Sequence, residues 1–316
     1  MNIQIIKDDK NIKQYLPIFA TKEFLETKSN DYGWFISDDF ILPYYIDKRL
    51  IFSKLVFTNE TIYLSENTYN EKKFLNRVVT LSKNLNVDFI SQPLANCVFN
   101  VIPDNSKFIS WGSYIVDLTL DEEAIMKNIH SKHRNVIKKA KKDGVIIEVT
   151  KDIELVYNNI KDTNQRQNRT YPSLESLEKI KDFTTFFIAK KDGQLQGCAV
   201  LPYNKYKALY LYGGSIARPY TGSLNLMHYE AMLYFKKNGV MQYDFMGARP
   251  NVTKGSKLEG IQRFKSRFTK DIKKGYIWKY EIKPFKIKLI NLLQILLAKI
   301  KGNLYLGDAI DQESRK

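Results

Sequence analysis

A lysine beside a phenylalanine, close to the end of a predicted strand, is the feature of this sequence best suited to chemistry. Residues 243–247, Tyr-Asp-Phe-Met-Gly, predict a strand that ends in a turn, and Phe264 and Lys265 follow after a loop that contains glycine. Ligands of open α/β sheets often bind where strands end. An ammonium fixed there could stabilise negative charge on a bound ligand. We therefore expect Lys265 and its neighbour Phe264 to be catalytic.

Length and composition predict a globular chain with an affinity for anions. The 316 residues, 44% of them hydrophobic, suffice for one large domain or two ordinary ones. The 50 basic residues outnumber the 34 acidic ones, which gives a formal net charge of +16. This excess favours nucleic acid, an anionic membrane surface or a phosphorylated substrate as partner. A solvated lysine-rich surface explains it equally well.

Cysteine usage and hydropathy favour the cytoplasm. Cys97 and Cys198 form neither a disulfide framework nor a metal-binding spacing. Residues 1–9 lack a basic region that leads into an apolar core, so we expect no secretion signal. No uncharged apolar stretch is long enough to span a bilayer.

The first part of the chain predicts a meander of strands followed by a helix and another strand. β-Branched and aromatic residues mark strands at residues 33–36, 40–46, 50–57 and 61–64. Residues 70–84 carry apolar side chains at helical spacing, and residues 87–90 return to a strand pattern. We predict a first unit over residues 1–110.

A second unit is predicted over residues 111–282, and it begins with a strand and a basic helix. Residues 114–118 predict the strand, and residues 119–122 have the capping-box pattern that begins a helix. Apolar spacings of three and four continue this single helix from Ile125 to Ala140. His133 lies on the apolar stripe and is expected to be packed. The other faces carry six basic residues, which could hold phosphates or form a solvated surface: Lys132, Arg134, Lys138, Lys139, Lys141 and Lys142.

The rest of the second unit alternates helices with a second meander. A helix through Leu155 and Ile160 is followed by strands at residues 183–189, 195–201 and 208–212. The Asp-Gly pair at residues 192–193 predicts a hairpin between the first two strands. A helix over residues 224–237 then precedes the strand at residues 241–245. This order is similar to an acyltransferase unit of the GNAT kind, and the vaguer order of the first part suggests two related units.

The C-terminal region, residues 283–316, predicts an amphipathic helix and a tail. Residues 285–300 are apolar on most faces, and lysines without acidic neighbours lie at both ends: Lys283, Lys286, Lys288, Lys299 and Lys301. One interpretation is a helix that lies on an anionic membrane. General frequency favours the other, a closing helix packed on the body.

Five segments, through their order and spacing, carry a family resemblance: residues 114–119, 131–145, 210–215, 243–247 and 264–265. Together they resemble the Fem-type (FemABX) aminoacyltransferases, which build the interpeptide bridge of bacterial peptidoglycan. The resemblance implies an α/β fold of two tandem GNAT-like units with mixed, largely antiparallel sheets. It also implies transfer of an amino acid from aminoacyl-tRNA to an amine of a peptidoglycan precursor, without a metal or bound cofactor.

The resemblance assigns roles to individual residues. Lys265, beside Phe264, would stabilise negative charge during acyl transfer, Arg166 would hold a substrate phosphate, and Tyr212 would position the acceptor. The neighbours and motif residues that complete the predicted substrate-binding set are Arg169, Tyr171, Tyr210 and Asp244.

Two other functions remain open from the sequence. An acyl-CoA-dependent N-acyltransferase of amino sugars or envelope glycans would bind pyrophosphate at a glycine-rich loop that begins a helix. Residues 215–223 occupy that place with Arg218 and Gly222, but without the usual spacing. A noncatalytic nucleic-acid or membrane-binding protein would use the positive charge and the 20 tyrosines. For the transferase we expect a cytoplasmic location, with peripheral contact to the inner face of the membrane as an open question.

Overall fold

The computed structural model describes residues 1–10, 12–66, 69–249, 252, 254–300, 302 and 307–314. The described residues form these helices, in chain order: α1 (Lys22–Glu26), α2 (Glu71–Ser82), α3 (Glu122–Asn128), α4 (Ser131–Lys142), α5 (Ile153–Gln165), α6 (Leu174–Glu178), α7 (Ser223–Lys237), α8 (Lys257–Ser266), α9 (Pro284–Ile300) and α10 (Ala309–Glu313). Short 3₁₀ turns lie at Ile18–Ala20, Lys83–Leu85 and Lys181–Phe183.

The strands alternate with these helices. They are β1 (Gln4–Ile6), β2 (Tyr32–Ile36), β3 (Phe40–Lys48), β4 (Ser53–Phe57), β5 (Ile62–Tyr63), β6 (Phe89–Ile90), β7 (Lys107–Asp117), β8 (Val145–Thr150), β9 (Thr184–Lys191), β10 (Gln194–Pro202), β11 (Lys207–Leu209), β12 (Tyr212–Ser215), β13 (Gln242–Asp244) and β14 (Ile272–Glu281). Most neighbouring strands are antiparallel, whereas β4 and β6, and β11 and β13, are parallel. The predicted α/β class with mixed, largely antiparallel sheets is confirmed.

The chain divides into two compact units. The first contains Met1–Gly112 and Lys274–Lys316, and the second contains Ser113–Lys273. The divisions fall within β7 and β14, whereas the sequence predicted boundaries after residues 110 and 282. Residues 283–316, predicted as a separate segment, belong to the same compact unit as the N-terminal part.

The first unit packs α2 against a mostly antiparallel sheet. The strand order β1-β2-β3-β4-β6 places β3 centrally, and β5 also pairs with β3. Phe74, Leu75 and Val78 of α2 are fully buried in a cluster with Phe40 and Leu55 of the sheet. The helical spacing predicted for residues 70–84 therefore marks a real buried face.

The second unit packs helices on both faces of the antiparallel sheet β12-β10-β9-β8. Because side chains alternate along a strand, Phe187 and Ala189 of β9 join the core that contains α7, whereas Phe186 and Ile188 join the core that contains α5. The predicted Asp192-Gly193 hairpin is confirmed, and both residues have positive φ, 50° and 75°. In the same unit, β13 lies between β7 and β11.

The single helix predicted from residue 119 to residue 140 is wrong, because the structure contains two helices. Asp121 begins α3 by accepting a hydrogen bond from the backbone N–H of Ala124, at 2.7 Å. Ile129 and His130 then adopt extended backbone angles, and His130 Nδ1 accepts the Lys132 N–H at the start of α4. The apolar spacing continues across this break, so the sequence pattern alone did not reveal it.

The single strand predicted over residues 208–212 is also wrong. Its first part is β11, which pairs with β13, and Tyr212 begins β12, which pairs with β10. The apolar run hides this change of partner, because strand pairing depends on residues far away in the sequence.

The C-terminal helix has a narrow buried side and a broad exposed one. Ile287 and Ile290 are buried, as expected of a closing helix, but most other large apolar side chains of α9 are exposed. Lys301, one of the predicted flanking lysines, lies outside the described residues. Within the described residues, no helix is both long and apolar enough to cross a bilayer.

A buried carboxylate, Asp88, holds the start of this helix. Its oxygens accept hydrogen bonds from Lys283 Nζ at 2.8 Å, Lys286 Nζ at 2.7 Å and the Ser53 N–H at 2.9 Å. Burial alone would raise the pKa of Asp88, but these donors outweigh it and lower the pKa to about 2. The anchor therefore keeps its negative charge throughout the ordinary pH range.

We predict that Asp88→Asn lowers the free energy of unfolding by about 2 kcal/mol at pH 7. Because the folded-state pKa is depressed, the contribution is complete above the unfolded pKa, near 4, and is lost as the pH falls towards 2. Urea denaturation of both proteins at pH 7 and at pH 3 measures this difference. Asp104→Asn is the control, because Asp104 and its partner Lys72 are exposed and should contribute little. Equal losses for the two variants would contradict the prediction.

Candidate active site

The carboxylate of Asp244, at the end of β13, organises the backbone around the candidate site. Asp244 is buried, and its Oδ1 accepts hydrogen bonds from Ser113 Oγ and from the Met246 N–H, the latter at 2.8 Å. Its Oδ2 pairs with Lys207 Nζ at 3.1 Å. Substrate binding by Asp244 stays a prediction; in this structure the carboxylate holds protein donors and fixes the strand end.

The two residues that follow Asp244 and Phe245 form a left-handed turn. Met246 has φ 50° and Gly247 has φ 61°. Glycine adopts this conformation freely, but a residue with a side chain rarely does, and such backbone strain is often found at functional sites. The hydrogen bond from the Met246 N–H to Asp244 supports the turn, which brings two consecutive carbonyl oxygens towards one side chain.

That side chain is Lys265, on the last turn of α8. Helix α8 begins at Ser256, whose hydroxyl accepts the Glu259 N–H at 3.2 Å. Lys265 Nζ donates to the carbonyl oxygen of Gly247 at 3.0 Å and to that of Met246. An ammonium has three N–H donors, and no third acceptor for Lys265 occurs among the described residues. The structure thus shows protein acceptors for two of the three donors.

Lys265 is partly buried, and the loss of water around its ammonium changes its acidity. Desolvation lowers the pKa of Lys265 to about 8, although the charge of Asp244 acts in the opposite direction. At neutral pH the side chain therefore remains mostly an ammonium, and it loses its charge as the pH rises through 8. Water screens the charge of a desolvated cation less strongly. Such a cation therefore stabilises a nearby anion more than a surface lysine does.

Aromatic rings and two histidines surround this lysine. Phe264, predicted beside Lys265, packs against His133, with ring centroids 5.4 Å apart, and against His228, at 5.5 Å. Both histidines are buried, and burial lowers the pKa of His133 to about 4 and that of His228 to about 3. Both are therefore neutral at pH 7. His133 is a packed histidine, as predicted, and its Nε2 lies 3.1 Å from the Phe264 carbonyl oxygen.

His228 was missed by the sequence analysis. It lies on α7, where its Nδ1 is 2.6 Å from Tyr243 Oη and its ring packs on Tyr210 at 4.5 Å. Its only sequence signal is a histidine inside a largely apolar helix, a pattern that does not separate a packed histidine from a functional one. The structure shows that this ring connects Tyr210 to Phe264.

A second group of predicted residues lies around the C-terminal end of α5. Arg166 Nη2 donates to the carbonyl oxygen of Ser215 and lies 3.3 Å from Thr163 Oγ1. Arg169 is exposed, and Tyr171 is 38% exposed, with Gln165 Nε2 at 3.4 Å from its hydroxyl. These side chains form an accessible polar surface next to the end of β12.

Tyr210 and Tyr212 face different surroundings although they are two residues apart. Tyr210 packs with His228 and Phe245 near Lys265, and burial raises its pKa. Tyr212 packs against the apolar cluster beneath α5, and burial raises its pKa as well. Gly213 makes this arrangement possible, because a Cβ there would lie 1.9 Å from Tyr210 Oη.

The predicted residues thus fall into two groups within the second unit. Lys265, Phe264, Asp244 and Tyr210 lie around the end of β13. The residues around α5 and β12 are Arg166, Arg169, Tyr171 and Tyr212. Among the described residues, no cluster of three or more histidine, cysteine or carboxylate side chains could hold a metal ion.

Comparison with known proteins gives this site a family context. Residues 148–294 match the FemAB family. The match includes α5, β12, β13 and α8, which carry both groups of predicted residues, and it confirms the resemblance seen in the sequence. It supports a transferase that acts in cell-envelope synthesis. No curated protein matches the chain significantly.

Solved structures show the same fold at low sequence identity. A crystal structure of FemX aligns with a TM-score of 0.66 and 14% identity, over 92% of this chain and 100% of that chain. The C-terminal domain of a putative lysylphosphatidylglycerol synthetase from Agrobacterium fabrum aligns with a TM-score of 0.53 and 15% identity, over 87% and 95% of the two chains. At these identities the likeness concerns the fold, and it agrees with the double-unit architecture that the resemblance implied.

The burial of Lys265 leads to a prediction about its titration. In protein labelled with ¹³C-lysine, the Cε signal of Lys265 should titrate with a midpoint near 8, because desolvation disfavours its charged form. Exposed lysines should titrate near 10.4. NMR spectra recorded from pH 6 to pH 11 measure this, and the signal missing in Lys265→Met provides the assignment. A Lys265 signal that titrates together with the exposed lysines would contradict the desolvated site.

Proposed function

We propose that this protein is an aminoacyltransferase. It moves an amino acid from aminoacyl-tRNA to an amine of a peptidoglycan or other cell-envelope precursor. The observation that carries the proposal is the Lys265 ammonium, which two backbone carbonyl oxygens hold in place in a desolvated site. The FemAB match over the residues that build this site supports it.

The reaction requires charge stabilisation at a carbonyl oxygen. The acceptor amine attacks the ester carbon of the donor, and the carbonyl oxygen becomes negatively charged. The new C–N bond then remains while the bond from the ester carbon to the ribose oxygen breaks. The amine gives up a proton, and the ribose oxygen gains one. In this scheme the third N–H of Lys265 donates to the oxyanion, and the bonds to Met246 and Gly247 keep the ammonium oriented.

A polyanionic donor fits the charges of the second unit. The basic residues of α4 with exposed side chains are Lys132, Lys138, Lys139, Lys141 and Lys142. Lys141 pairs with Glu230 at 3.1 Å, and the helix contains no acidic residue. Such a surface can neutralise several phosphates of a folded RNA. Arg166, whose guanidinium is exposed and oriented by Ser215 and Thr163, would hold one phosphate at the acceptor end of the tRNA.

The loop over residues 215–223 favours tRNA over acyl-CoA as donor. A pyrophosphate at such a loop needs free backbone N–H groups. Here the Ile216 N–H donates to Gln196 O, the Tyr220 N–H donates to Gln196 Oε1, and the Ser223 N–H donates to Tyr220 O. These internal bonds remove three donors from the loop. Acyl-CoA remains the alternative donor, and the experiments below distinguish the two.

The acceptor side of the proposal involves Tyr212 and the cell envelope. Tyr212 lies in β12 beside the Arg166 group, where it would position the acceptor amine, with Arg169 and Tyr171 at the same surface. One protein of similar fold is named a putative lysylphosphatidylglycerol synthetase. The product in that name consists of an amino acid attached to a lipid. Because charged tRNA is a cytoplasmic molecule, the proposal places the reaction in the cytoplasm.

We predict that Lys265→Met lowers kcat by about 100- to 1000-fold, the usual cost of losing one donor to an oxyanion. The assay incubates the protein with a mixture of charged tRNAs and envelope precursors and detects acceptors that gain mass by mass spectrometry. Steady-state rates with the identified pair then give kcat. Lys270→Met is the control, because Lys270 is exposed and lies five residues along the chain. A folded Lys265→Met protein with the original rate would contradict the proposal.

We predict that Arg166→Ala raises KM for the donor by about 10- to 100-fold and changes kcat little, because a charge-assisted hydrogen bond to phosphate contributes about 1.5–3 kcal/mol. Arg218→Ala, in the loop that would bind acyl-CoA, is the matched control and should leave KM unchanged.

A higher KM in Arg218→Ala and an unchanged KM in Arg166→Ala, together with activity on acyl-CoA, would identify the alternative N-acyltransferase. Equal binding of charged and uncharged tRNA across a salt titration, without transfer, would indicate a noncatalytic protein.

A further inference from the structure

Most large apolar side chains of helix α9 are exposed, and only a narrow side of the helix is buried. Two of its exposed side chains, Phe285 and Ile300, are 90% and 81% exposed. The other exposed large apolar residues of this helix are Leu289, Leu292, Leu293, Ile295, Leu296 and Leu297. Soluble proteins usually expose apolar residues singly, and contiguous exposed patches mark interaction surfaces.

Five of these residues form one continuous stripe. Phe285, Leu289, Leu292, Leu296 and Ile300 are spaced four, three, four and four residues apart, the spacing of one helix face. A face with this spacing usually points to a core, but here it is exposed. We call these five residues the outer stripe of α9.

Lysines border the outer stripe. Lys288 and Lys299 are exposed and lie on the side of the stripe next to Leu292. Lys286 lies on the other side, where it is partly exposed and pairs with Asp88. The helix contains no acidic residue. An apolar stripe between lysines is the pattern of helices that lie in the interface of an anionic membrane.

The opposite side of α9 fixes the helix to the first unit. Ile287 and Ile290 are buried, and the Asp88 carboxylate holds Lys283 and Lys286 at the beginning of the helix. The outer stripe therefore belongs to a helix that the protein body holds in a fixed orientation. A preoriented surface loses less conformational entropy on binding than a flexible tail does.

The length of α9 favours a position along the membrane surface. At 1.5 Å per residue, 17 residues span about 25 Å, less than the roughly 30 Å of the hydrocarbon core. The buried side is also attached to the protein, so the helix cannot enter the bilayer end-on. It can lie flat, with the outer stripe in the acyl region and the lysines at the phosphates.

We propose that the outer stripe of α9 docks this protein on an anionic lipid bilayer. Charge selects this partner over a second copy of the chain. Two copies paired through the stripe would bring Lys288 and Lys299 together without an acidic residue on either helix to neutralise them. An anionic membrane neutralises the same lysines. The inference is independent of the transfer chemistry, since it uses no residue of the candidate active site.

The test measures the binding of the whole chain to vesicles by co-sedimentation. One set of vesicles contains phosphatidylcholine alone, and the other contains about 30 mol % phosphatidylglycerol. The wild type should bind the anionic vesicles at least about tenfold more tightly than the neutral ones. Leu292→Glu/Leu296→Glu should weaken anionic binding by about tenfold or more, because it places charge in the outer stripe. Lys288→Glu/Lys299→Glu should remove the preference for anionic lipid.

Leu50→Glu/Ile51→Glu is the matched control, because it makes the same kind of change at two exposed apolar residues of the same unit. It should bind anionic vesicles like the wild type, and circular dichroism should show that all variants are folded. Loss of binding in the control as well as in the stripe variant would overturn the proposal, and so would unchanged binding of the stripe variant.

Light scattering without lipid supplies a further check, because it measures whether the chain forms dimers. A wild-type dimer that the stripe variant abolishes, without binding to vesicles, would assign the stripe to a second copy and overturn the proposal.

Because Lys265 lies outside α9, Lys265→Met should keep wild-type vesicle binding even though its transfer activity is lost. The stripe variant should keep its activity on a soluble acceptor. Failure of one proposal is therefore distinguishable from failure of the other.

Discussion

The Lys265 ammonium stays in a desolvated site because the chain turns sharply after β13 and offers it two carbonyl oxygens. A partly buried lysine without acceptors would lose its proton more readily or draw in water. The left-handed residues Met246 and Gly247 orient the two carbonyls, and the buried carboxylate of Asp244 holds the turn. Asp244 also binds Ser113 and Lys207, which come from β7 and β11. The position of one charge therefore depends on three strands and one helix.

The aromatic surroundings of Lys265 complete this arrangement. Phe264 and Phe268 pack against two buried histidines that remain neutral at pH 7. Neutral rings exclude water and add no second positive charge near the ammonium. A second positive charge there would disfavour the charged form of Lys265. The same desolvation that lowers the pKa of Lys265 strengthens its interaction with a developing anion. Desolvation thus has two opposing consequences: it disfavours the charged form of Lys265, and it strengthens the interaction of that charge with an anion.

Lysines serve a different purpose in the first unit. Asp88 pairs with Lys283 and Lys286 and thereby fixes α9, whereas Lys288 and Lys299 remain exposed beside an apolar stripe. The sequence left two interpretations of this helix open, a closing helix and a membrane-binding one. The structure combines features of both, because one side of the helix packs and the other does not. The net charge of +16 did not distinguish these roles, since it counts paired and unpaired lysines alike.

Periodicity by itself determined much of the local structure of this protein. Helical spacing predicted α2 and α7, strand patterns and an Asp-Gly turn predicted β9 and β10, and motif order predicted the fold and the resemblance to the FemAB family. Local patterns could not reveal the break at Ile129 or the change of partner between β11 and β12, because packing and pairing with distant segments decide both. The sequence predicted Lys265 as catalytic, a role that stays a prediction, but it did not reveal its two carbonyl acceptors or its neighbour His228. Contacts between residues far apart in the chain decided these features, and only the tertiary structure supplies such contacts.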